Sequence, residues 1–199
     1  NMKNKKLITD IEDSIKTKRS LLLIEDKILA AIQIIFKKLS QGGKILLCGN
    51  GGSAADAQHL AAEFLIRLDP KINRKPLPAI SLATDISTIL ACGNDFSFTK
   101  IFSRNLEALG KKNDILIAIS TSGKSKNILE VLKTARKKKI YSIGFFGNGG
   151  GLAKKITDLN LIVKSKNTAR IQETHILLGH HIFSQVENKI LKKYLFLIS

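Results

Sequence analysis

Two pairs of polar residues have the spacing that acid–base chemistry in a shared site would need. His59 and Glu63 are four residues apart in a stretch of helical length, so they share one helix face, a turn from each other. Gln172 and His180 are eight residues apart in a second such stretch, which leaves them about 80° apart and two turns along. An imidazole and a carboxylate can both exchange protons near neutral pH. The two pairs are therefore candidates for one catalytic site.

Spacing alone leaves other interpretations open. The first pair is also typical of a solvated helix pair, or of a buried histidine held by a carboxylate. In the second stretch, His175 lies near Gln172 in angle, and His181 lies about 180° from it. Geometry from the sequence does not choose among the three histidines.

A glycine-rich turn precedes the first pair. The run from Cys48 to Ser53 reads Cys-Gly-Asn-Gly-Gly-Ser and joins a predicted strand to the predicted helix. Open α/β sheets bind ligands at the carboxyl ends of their strands, where glycines and the N–H groups of a helix terminus can approach the ligand. Ser53 alternatively serves only as an N-cap. No Gly-Lys-Ser/Thr follows, so this is not a Walker loop.

Two further turns carry polar side chains. Residues 120–125 read Ser-Thr-Ser-Gly-Lys-Ser after the third predicted strand and place four hydroxyls where a helix begins, near Ser125. Hydroxyls and N–H groups at the positive end of a helix dipole are suited to a phosphate, although an ordinary serine-rich turn is the alternative. Asn94 and Asp95 predict a polar loop that either binds sugar hydroxyls or serves as a turn or helix cap.

The elements that must position these residues alternate between strand and helix. Apolar spacing over residues 7–39 predicts two N-terminal helices. Alternating strands and helices imply right-handed crossovers and a mainly parallel five-stranded sheet covered on both faces. We predict one α/β domain over residues 1–199, with a helical segment at 1–40 and the core and long C-terminal helix at 41–199. Strands are predicted at 44–48, 79–83, 114–120, 139–146 and 159–164, and helices at 53–68, 96–109, 125–138, 152–155 and 169–197.

Composition narrows the class of protein. No apolar run approaches the roughly 20 residues of a membrane span, and no secretory signal is visible, so we expect a soluble cytoplasmic protein. The net charge of +17 suggests a polyanionic partner. However, the lysines are scattered along the chain without interleaved aromatic residues, so nucleic acid is not expected. Cys48 and Cys92 lack a paired spacing and are interpreted as small, reduced core residues.

In combination, these motifs resemble the sugar isomerase (SIS) domain family, and within it the phosphoheptose isomerases. The sequence departs from the family pattern at Lys124, at residues 146–150 and in the apolar segment 195–198. None of these departures involves the side chains of His59, Glu63, Gln172 and His180. The matching segments are Cys48–Ser53 with His59 and Glu63, Gly93–Phe96, Ile119–Gly123, and Arg170–His175 with His180.

The resemblance implies a fold, an assembly and a reaction. The fold is a three-layer, flavodoxin-like SIS sandwich. The assembly is a homotetramer, with N-terminal helices packed between subunits and active sites at subunit boundaries. The reaction converts sedoheptulose 7-phosphate to D-glycero-D-manno-heptose 7-phosphate through an enediol, the first step of ADP-heptose synthesis for the lipopolysaccharide core.

The resemblance also implies roles for individual residues. Glu63 would be the base and His180 the acid. One zinc ion per subunit would be held by His59, Glu63, Gln172 and His180; whether Glu63 acts chiefly as base or as ligand stays open. The alternative function is a non-catalytic SIS adaptor of replication initiation or a sugar-phosphate sensor, but the adaptors lack the catalytic Glu and His. Substrate contacts would come from Asn50, Gly51, Gly52, Ser53, Glu63, Asn94, Asp95, Ser120, Thr121, Ser122, Ser125 and Gln172.

Overall fold

A computed structural model describes residues 5–196, with side chains described for residues 5–193, and its centre is a five-stranded parallel sheet. The strands are β1 (Ile45–Cys48), β2 (Ala79–Ser81), β3 (Ile115–Ser120), β4 (Tyr141–Phe146) and β5 (Leu159–Ile162). The α-helices are α1 (Lys5–Arg19), α2 (Glu25–Ser40), α3 (Gly52–Leu65), α4 (Ile86–Asp95), α5 (Ile101–Leu109), α6 (Lys126–Lys137) and α7 (Thr168–Phe196). Short 3-10 helices occupy Ser20–Ile24, Phe98–Lys100, Asn148–Gly150 and Ala153–Lys155.

The strand order places two of the predicted ligand turns side by side. The order is β2-β1-β3-β4-β5, and every pairing is parallel. The chain moves outward in one direction from β1 to β2 and in the other from β3 to β5. Ligands of such sheets bind where the direction reverses, beyond the carboxyl ends of the two central strands. The glycine-rich turn follows β1 and the serine-rich turn follows β3 at this position.

Both faces of the sheet are covered by helices. Successive side chains of a strand point to opposite faces, so each central strand supplies two cores. Ile45 and Leu47 belong to a core shared with α2, α3 and α7, while Leu46 and Cys48 belong to a second core shared with α5 and α6. All four residues of β1 are buried, as expected for a central parallel strand.

The predicted elements are confirmed with one omission. α4 was not predicted, and it begins where the Asp85 side chain accepts a hydrogen bond of 3.2 Å from the backbone N–H of Thr88. Because the capped helix continues to residue 95, the prediction of a polar loop at Asn94 and Asp95 is wrong. Both residues are exposed in the last turn of α4, where Asn94 Nδ2 donates to Asp95 Oδ1 over 2.9 Å.

Several boundaries also differ from the prediction. The helix expected over 96–109 begins only at Ile101, after a 3-10 turn, and the helix expected over 53–68 ends at Leu65. The two N-terminal helices are confirmed, with a 3-10 helix between them. The predicted end of α7 at residue 197 and most of the apolar segment 195–198 lie outside the described residues. Within residues 5–196, no helix is both long and apolar enough to cross a bilayer.

Candidate active site

The two helices that carry the candidate side chains pack against each other. α3 begins directly after the turn that follows β1, and α7 lies along it. The contacts occur in the same order along both helices, so α3 and α7 run in the same direction. Residues of the N-terminal parts of α3 and α7 therefore meet near the carboxyl end of β1. The contacts are Gly52 with Gln172, Leu60 with Gly179, and Phe64 with Phe183.

Gly179 allows the close approach of these helices. A Cβ at this position would lie 2.6 Å from each of the two Cδ atoms of Leu60, closer than real Cβ contacts. Any larger residue would push α7 away from α3 or displace the leucine. Since His59 precedes Leu60 and His180 follows Gly179, this contact controls the distance between the two imidazoles.

The close approach brings three predicted residues together. His59 Nε2 lies 2.8 Å from His180 Nε2 and 3.5 Å from Glu63 Oε1. The two rings meet edge to face, with their centroids 5.1 Å apart. With both imidazoles neutral, one Nε2 carries the proton and donates to the other. The structure thus selects His180 from the three histidines that the sequence left open.

The other two histidines have different surroundings. The His175 side chain is fully buried beside the ring of Phe145, with ring centroids 6.1 Å apart. Burial lowers the pKa of His175 to about 4, against an opposing contribution from the backbone of Phe146. His181 is exposed and faces a separate pocket formed by α1, α2 and α7.

The electrostatics of the cluster favour a neutral His180. Burial lowers the pKa of His180 below its usual value, and the neighbouring His59 lowers it further, while Glu63 raises it.

Asp56, one turn before His59, was not predicted as a site residue. Burial raises the pKa of Asp56 to about 6, opposed by His59, and its Oδ2 is buried with no hydrogen-bond partner among the described residues. Its i, i+3 spacing from His59 was the available signal in the sequence.

The three donor groups fit a zinc ion. One ligand atom from each of His59, Glu63 and His180 lies within 4.8 Å of the others. Zinc bonds of about 2.0–2.2 Å in a tetrahedron place the donor atoms about 3.4 Å apart, so small side-chain shifts would complete the site. Two imidazoles and one carboxylate form a donor set found in catalytic zinc centres with an open position. The Gln172 amide lies beside Gly52, and its role as fourth ligand stays a prediction.

A small polar pocket of about 60 Å³ includes Gln172 in its lining, two helical turns before His180 on α7. It lies at the carboxyl ends of β1 and β3, where the sheet order predicts ligand binding. All of its lining residues except one were predicted site residues; the exception is the buried apolar Ile119. The lining consists of Asn50, Ser53, Ile119, Ser120, Thr121, Ser125 and Gln172.

The serine-rich turn is held in a compact shape. Gly123 has a φ of +61°, and a Cβ there would lie 2.0 Å from the carbonyl oxygen of Gly150. Ser120 Oγ accepts a hydrogen bond of 3.0 Å from the Gly123 N–H, and Ser122 Oγ accepts one of 3.2 Å from the Lys124 N–H. Ser125 precedes α6 but makes no side-chain capping bond. Its hydroxyl therefore remains available to a ligand, whereas Ser122 lies outside the pocket lining.

An unpredicted residue links the two turns. The Asn50 and Asn127 amides exchange two hydrogen bonds of 2.9 and 2.7 Å. Asn127 lies in the first turn of α6 and is 2% exposed. This reciprocal pair fixes the glycine-rich turn to the helix that follows the serine-rich turn. No sequence motif marks Asn127, because its partner is 77 residues away.

The geometry agrees with comparisons to known proteins. A family model described as SIS domain matches residues 12–147. The chain belongs to the SIS domain family. Among curated relatives of this SIS-domain protein, the phosphoheptose isomerase of Campylobacter jejuni is 52% identical over 158 residues, covering 79% of this chain and 84% of the relative. That similarity places the chain among the phosphoheptose isomerases.

Two solved structures support the same membership. A phosphoheptose isomerase from Neisseria gonorrhoeae has a TM-score of 0.86 at 38% identity, covering 92% of this chain and 98% of its own. A phosphoheptose isomerase from Francisella tularensis has a TM-score of 0.87 at 36% identity, covering 92% and 97%. The SIS sandwich expected from the sequence is thus confirmed.

Proposed function

We propose that this SIS-domain protein is an aldose–ketose isomerase that converts sedoheptulose 7-phosphate to D-glycero-D-manno-heptose 7-phosphate. One observation carries the proposal: an imidazole–carboxylate–imidazole cluster lies on α3 and α7, the two helices that also supply Ser53 and Gln172 to a hydroxyl-lined pocket at the central strand ends. The first feature can move protons, and the second can hold a phosphate. Relatives of the chain that carry the name phosphoheptose isomerase support the choice of substrate.

The reaction moves a proton between adjacent carbons and another between their oxygens. The Glu63 carboxylate takes the proton from C1 of the ketose, which leaves an enediol, and returns a proton to C2. His180, neutral because burial lowers its pKa, carries a proton between the two oxygens. No proton is gained or lost overall, as an isomerisation requires.

The phosphate and the metal have separate places in the proposal. Ser120, Thr121 and Ser125 hold the phosphate at the N-terminus of α6, with Asn50 to Ser53 along the sugar. Ser122, which the sequence also placed at the phosphate, lies outside the pocket lining and holds the turn instead. His59, Glu63, Gln172 and His180 would hold zinc. When bound, the ion would polarise substrate oxygens as a Lewis acid and fix the orientation of the imidazoles.

The cellular setting follows from the same proposal. We expect a cytoplasmic homotetramer with active sites at subunit boundaries, supplying heptose for the bacterial envelope. Large apolar side chains on the N-terminal helices are exposed in the single chain, including Leu22 and Leu23 at 73% and 66%. Such surface is typical of a face that another subunit covers. Nucleic acid has no part in the proposal.

The test is conversion of sedoheptulose 7-phosphate by the purified protein with zinc supplied. Glu63→Gln and His180→Gln should each lower kcat at least about 100-fold, as loss of a general acid or base does. His181→Gln, which alters the exposed neighbour, is the matched control and should keep parental activity. An inactive parent would overturn the proposed function, and a fully active Glu63→Gln or His180→Gln would overturn the assigned roles.

The non-catalytic adaptor or sensor is not favoured. Such a protein needs the fold but has no use for a base and an acid that meet on two helices that also line a phosphate pocket. Both Glu63 and His180 are present, and they share one cluster with His59. Sugar-phosphate binding without turnover would restore the alternative.

A further inference from the structure

A buried arginine joins the end of α3 to α7, away from the chemistry. Arg74 lies in the loop before β2, and its Nε donates to the Glu187 carboxylate. Its Nη2 donates to the Glu63 carbonyl oxygen and its Nη1 to the Phe64 carbonyl oxygen, both over 3.0 Å. The side chains of the ion pair are only 3% and 2% exposed. A single guanidinium therefore holds main-chain atoms of one helix and a carboxylate of the other.

The positions of these contacts relate directly to the catalytic cluster. The last four carbonyl groups of a helix have no partner within it, and Arg74 satisfies two of these at the end of α3, including that of Glu63 itself. Glu187 follows His180 by seven residues, which places it about 20° from His180 on the same face of α7. The guanidinium thus fixes one end of the α3–α7 contact, and the Leu60–Gly179 contact fixes the middle.

Stability alone does not account for such a pair. Desolvation of two charges offsets much of their attraction, and replacement of a buried ion pair by apolar residues of similar size is often neutral or stabilising. The guanidinium does differ from an apolar contact in one respect. Its planar fork makes several hydrogen bonds with fixed directions, so it specifies a geometry as well as a distance.

We propose that Arg74 and Glu187 are positioning residues for the reaction, which set the placement of Glu63 and His59 relative to His180. They touch neither substrate nor metal and act through the backbone of Glu63 and the orientation of α7. The proposal rests on the proposed site, and it extends that site to a loop and a helix segment outside the reacting groups. Loss of such indirect support typically costs about 10-fold to 100-fold in metal affinity or activity.

The experiment replaces both charges together in the full chain. Arg74→Met with Glu187→Leu leaves no unpaired buried charge, and Glu187→Gln keeps an acceptor for Arg74 without the charge. We measure the unfolding midpoint, zinc affinity against a competing chelator, and kcat and KM for sedoheptulose 7-phosphate. The double variant should unfold near the parental midpoint, yet bind zinc and turn over at least about 10-fold less well. KM should change less than about threefold, because the phosphate pocket takes only Ser53 from α3, in its first turn, whereas Arg74 contacts the last turn of that helix.

A second, partly buried ion pair provides the control. Lys44 Nζ lies 2.5 Å from Asp114 Oδ2 at the amino ends of β1 and β3, and the two side chains are 21% and 3% exposed. Asp114→Asn should lower the unfolding midpoint without changing zinc affinity or kcat. Parental zinc affinity and kcat in the double variant, or in Glu187→Gln should the double variant not fold, would overturn the positioning role. An inactive parent would overturn the proposed function instead, and zinc affinity would still test the positioning.

Discussion

The reacting groups and the phosphate pocket are built in different ways. The reacting groups come from two helices, and His59 and His180 are 121 residues apart in the chain. The phosphate pocket comes mainly from short turns that directly follow strands, with three of its hydroxyls within residues 120–125. A turn of this kind is defined by local backbone and glycine positions. The helix pair is defined by packing over its whole length, so remote residues can control it.

The difference predicts which kinetic constant each substitution alters. Changes along the α3–α7 contact should lower kcat and zinc affinity while leaving substrate affinity nearly intact. Changes in the serine-rich turn should raise KM and leave zinc affinity unchanged. A variant of the α3–α7 contact that mainly raises KM, or a variant of the serine-rich turn that mainly lowers zinc affinity, would show that the two regions form a single unit.

The largest effect is expected from Gly179→Val. The added side chain would lie where a Cβ already approaches both Cδ atoms of Leu60 within 2.6 Å, so α7 must move away from α3 or Leu60 must be displaced. Misplacement of reacting groups by about 1 Å costs about 100-fold in rate, and we expect such a fall in kcat with little change in KM. Steady-state kinetics measure both constants.

A compensating substitution controls for this result. Leu60→Ala combined with Gly179→Val makes room for the valine and should recover at least about tenfold of the lost kcat. Parental kcat in the single Gly179→Val variant would show that the close approach does not set the catalytic geometry.

The second effect concerns pH and the packing of α7. The folded-state pKa of His175, about 4, lies below its ordinary value of 6.5, so the unfolded chain binds the proton first as pH falls. Stability is fully present above about pH 6.5 and is lost progressively toward pH 4. At pH 5 the loss amounts to about 2 kcal/mol.

Urea unfolding at pH 7 and pH 5 measures this loss. His175→Leu should remove the His175 part of the pH dependence while the rest persists. An unchanged pH dependence in the variant would refute the assignment. The lining of the phosphate pocket contains no ionisable side chain, so phosphate binding should not show the pH dependence that His175 causes.

A smaller effect is expected from Ser125→Ala. A hydrogen bond to a charged group contributes about 1.5–3 kcal/mol, so loss of this hydroxyl should raise KM at least about 10-fold. Inorganic phosphate should inhibit correspondingly less well, and zinc affinity should stay parental. Ser122→Ala should raise KM less than about threefold, because Ser122 lies outside the pocket lining. Equal effects of the two substitutions would contradict the described turn.

The smallest effect is expected from Asn127→Ala. The substitution removes both amide hydrogen bonds to Asn50 and loosens the glycine-rich turn from α6. Loss of a hydrogen bond inside a protein costs about 1 kcal/mol, so we expect a comparable fall in the free energy of unfolding and a KM about threefold higher. Chemical denaturation and kinetics measure these changes. A larger effect on zinc affinity than on KM would place Asn127 with the helix pair.

Sequence reasoning succeeded where the information is local. The five strands, the two turns after β1 and β3, and the pairs on α3 and α7 all follow from periodicity and from glycines and hydroxyls at strand ends. The spacing of His59 and Glu63 requires only a helix for the two to meet. These features depend on residues within a turn or two of one another.

The omissions have a common physical cause. Arg74 and Asn127 have partners 113 and 77 residues away, and nothing in their own neighbourhood marks them. The choice of His180 over His175 depends on which face of α7 meets α3, and a helical wheel drawn for one helix does not contain that information. α4 was missed for a different reason: its cap at Asp85 was present in the sequence, but Asn94 and Asp95 were interpreted as a polar loop.

The contact of Gly123 with Gly150 has a consequence for how the protein can change over evolutionary time. Gly150 lies in the segment that departs from the family pattern, and Ala153 N–H in the following 3-10 helix donates to the Gly123 carbonyl oxygen over 2.9 Å. A side chain at residue 123 has no room unless the facing turn moves, because its Cβ would lie 2.0 Å from the Gly150 carbonyl oxygen. The two turns should therefore covary among descendants of this chain. Substitutions in residues 146–150, which touch no substrate, would then change the substrate selectivity of the pocket.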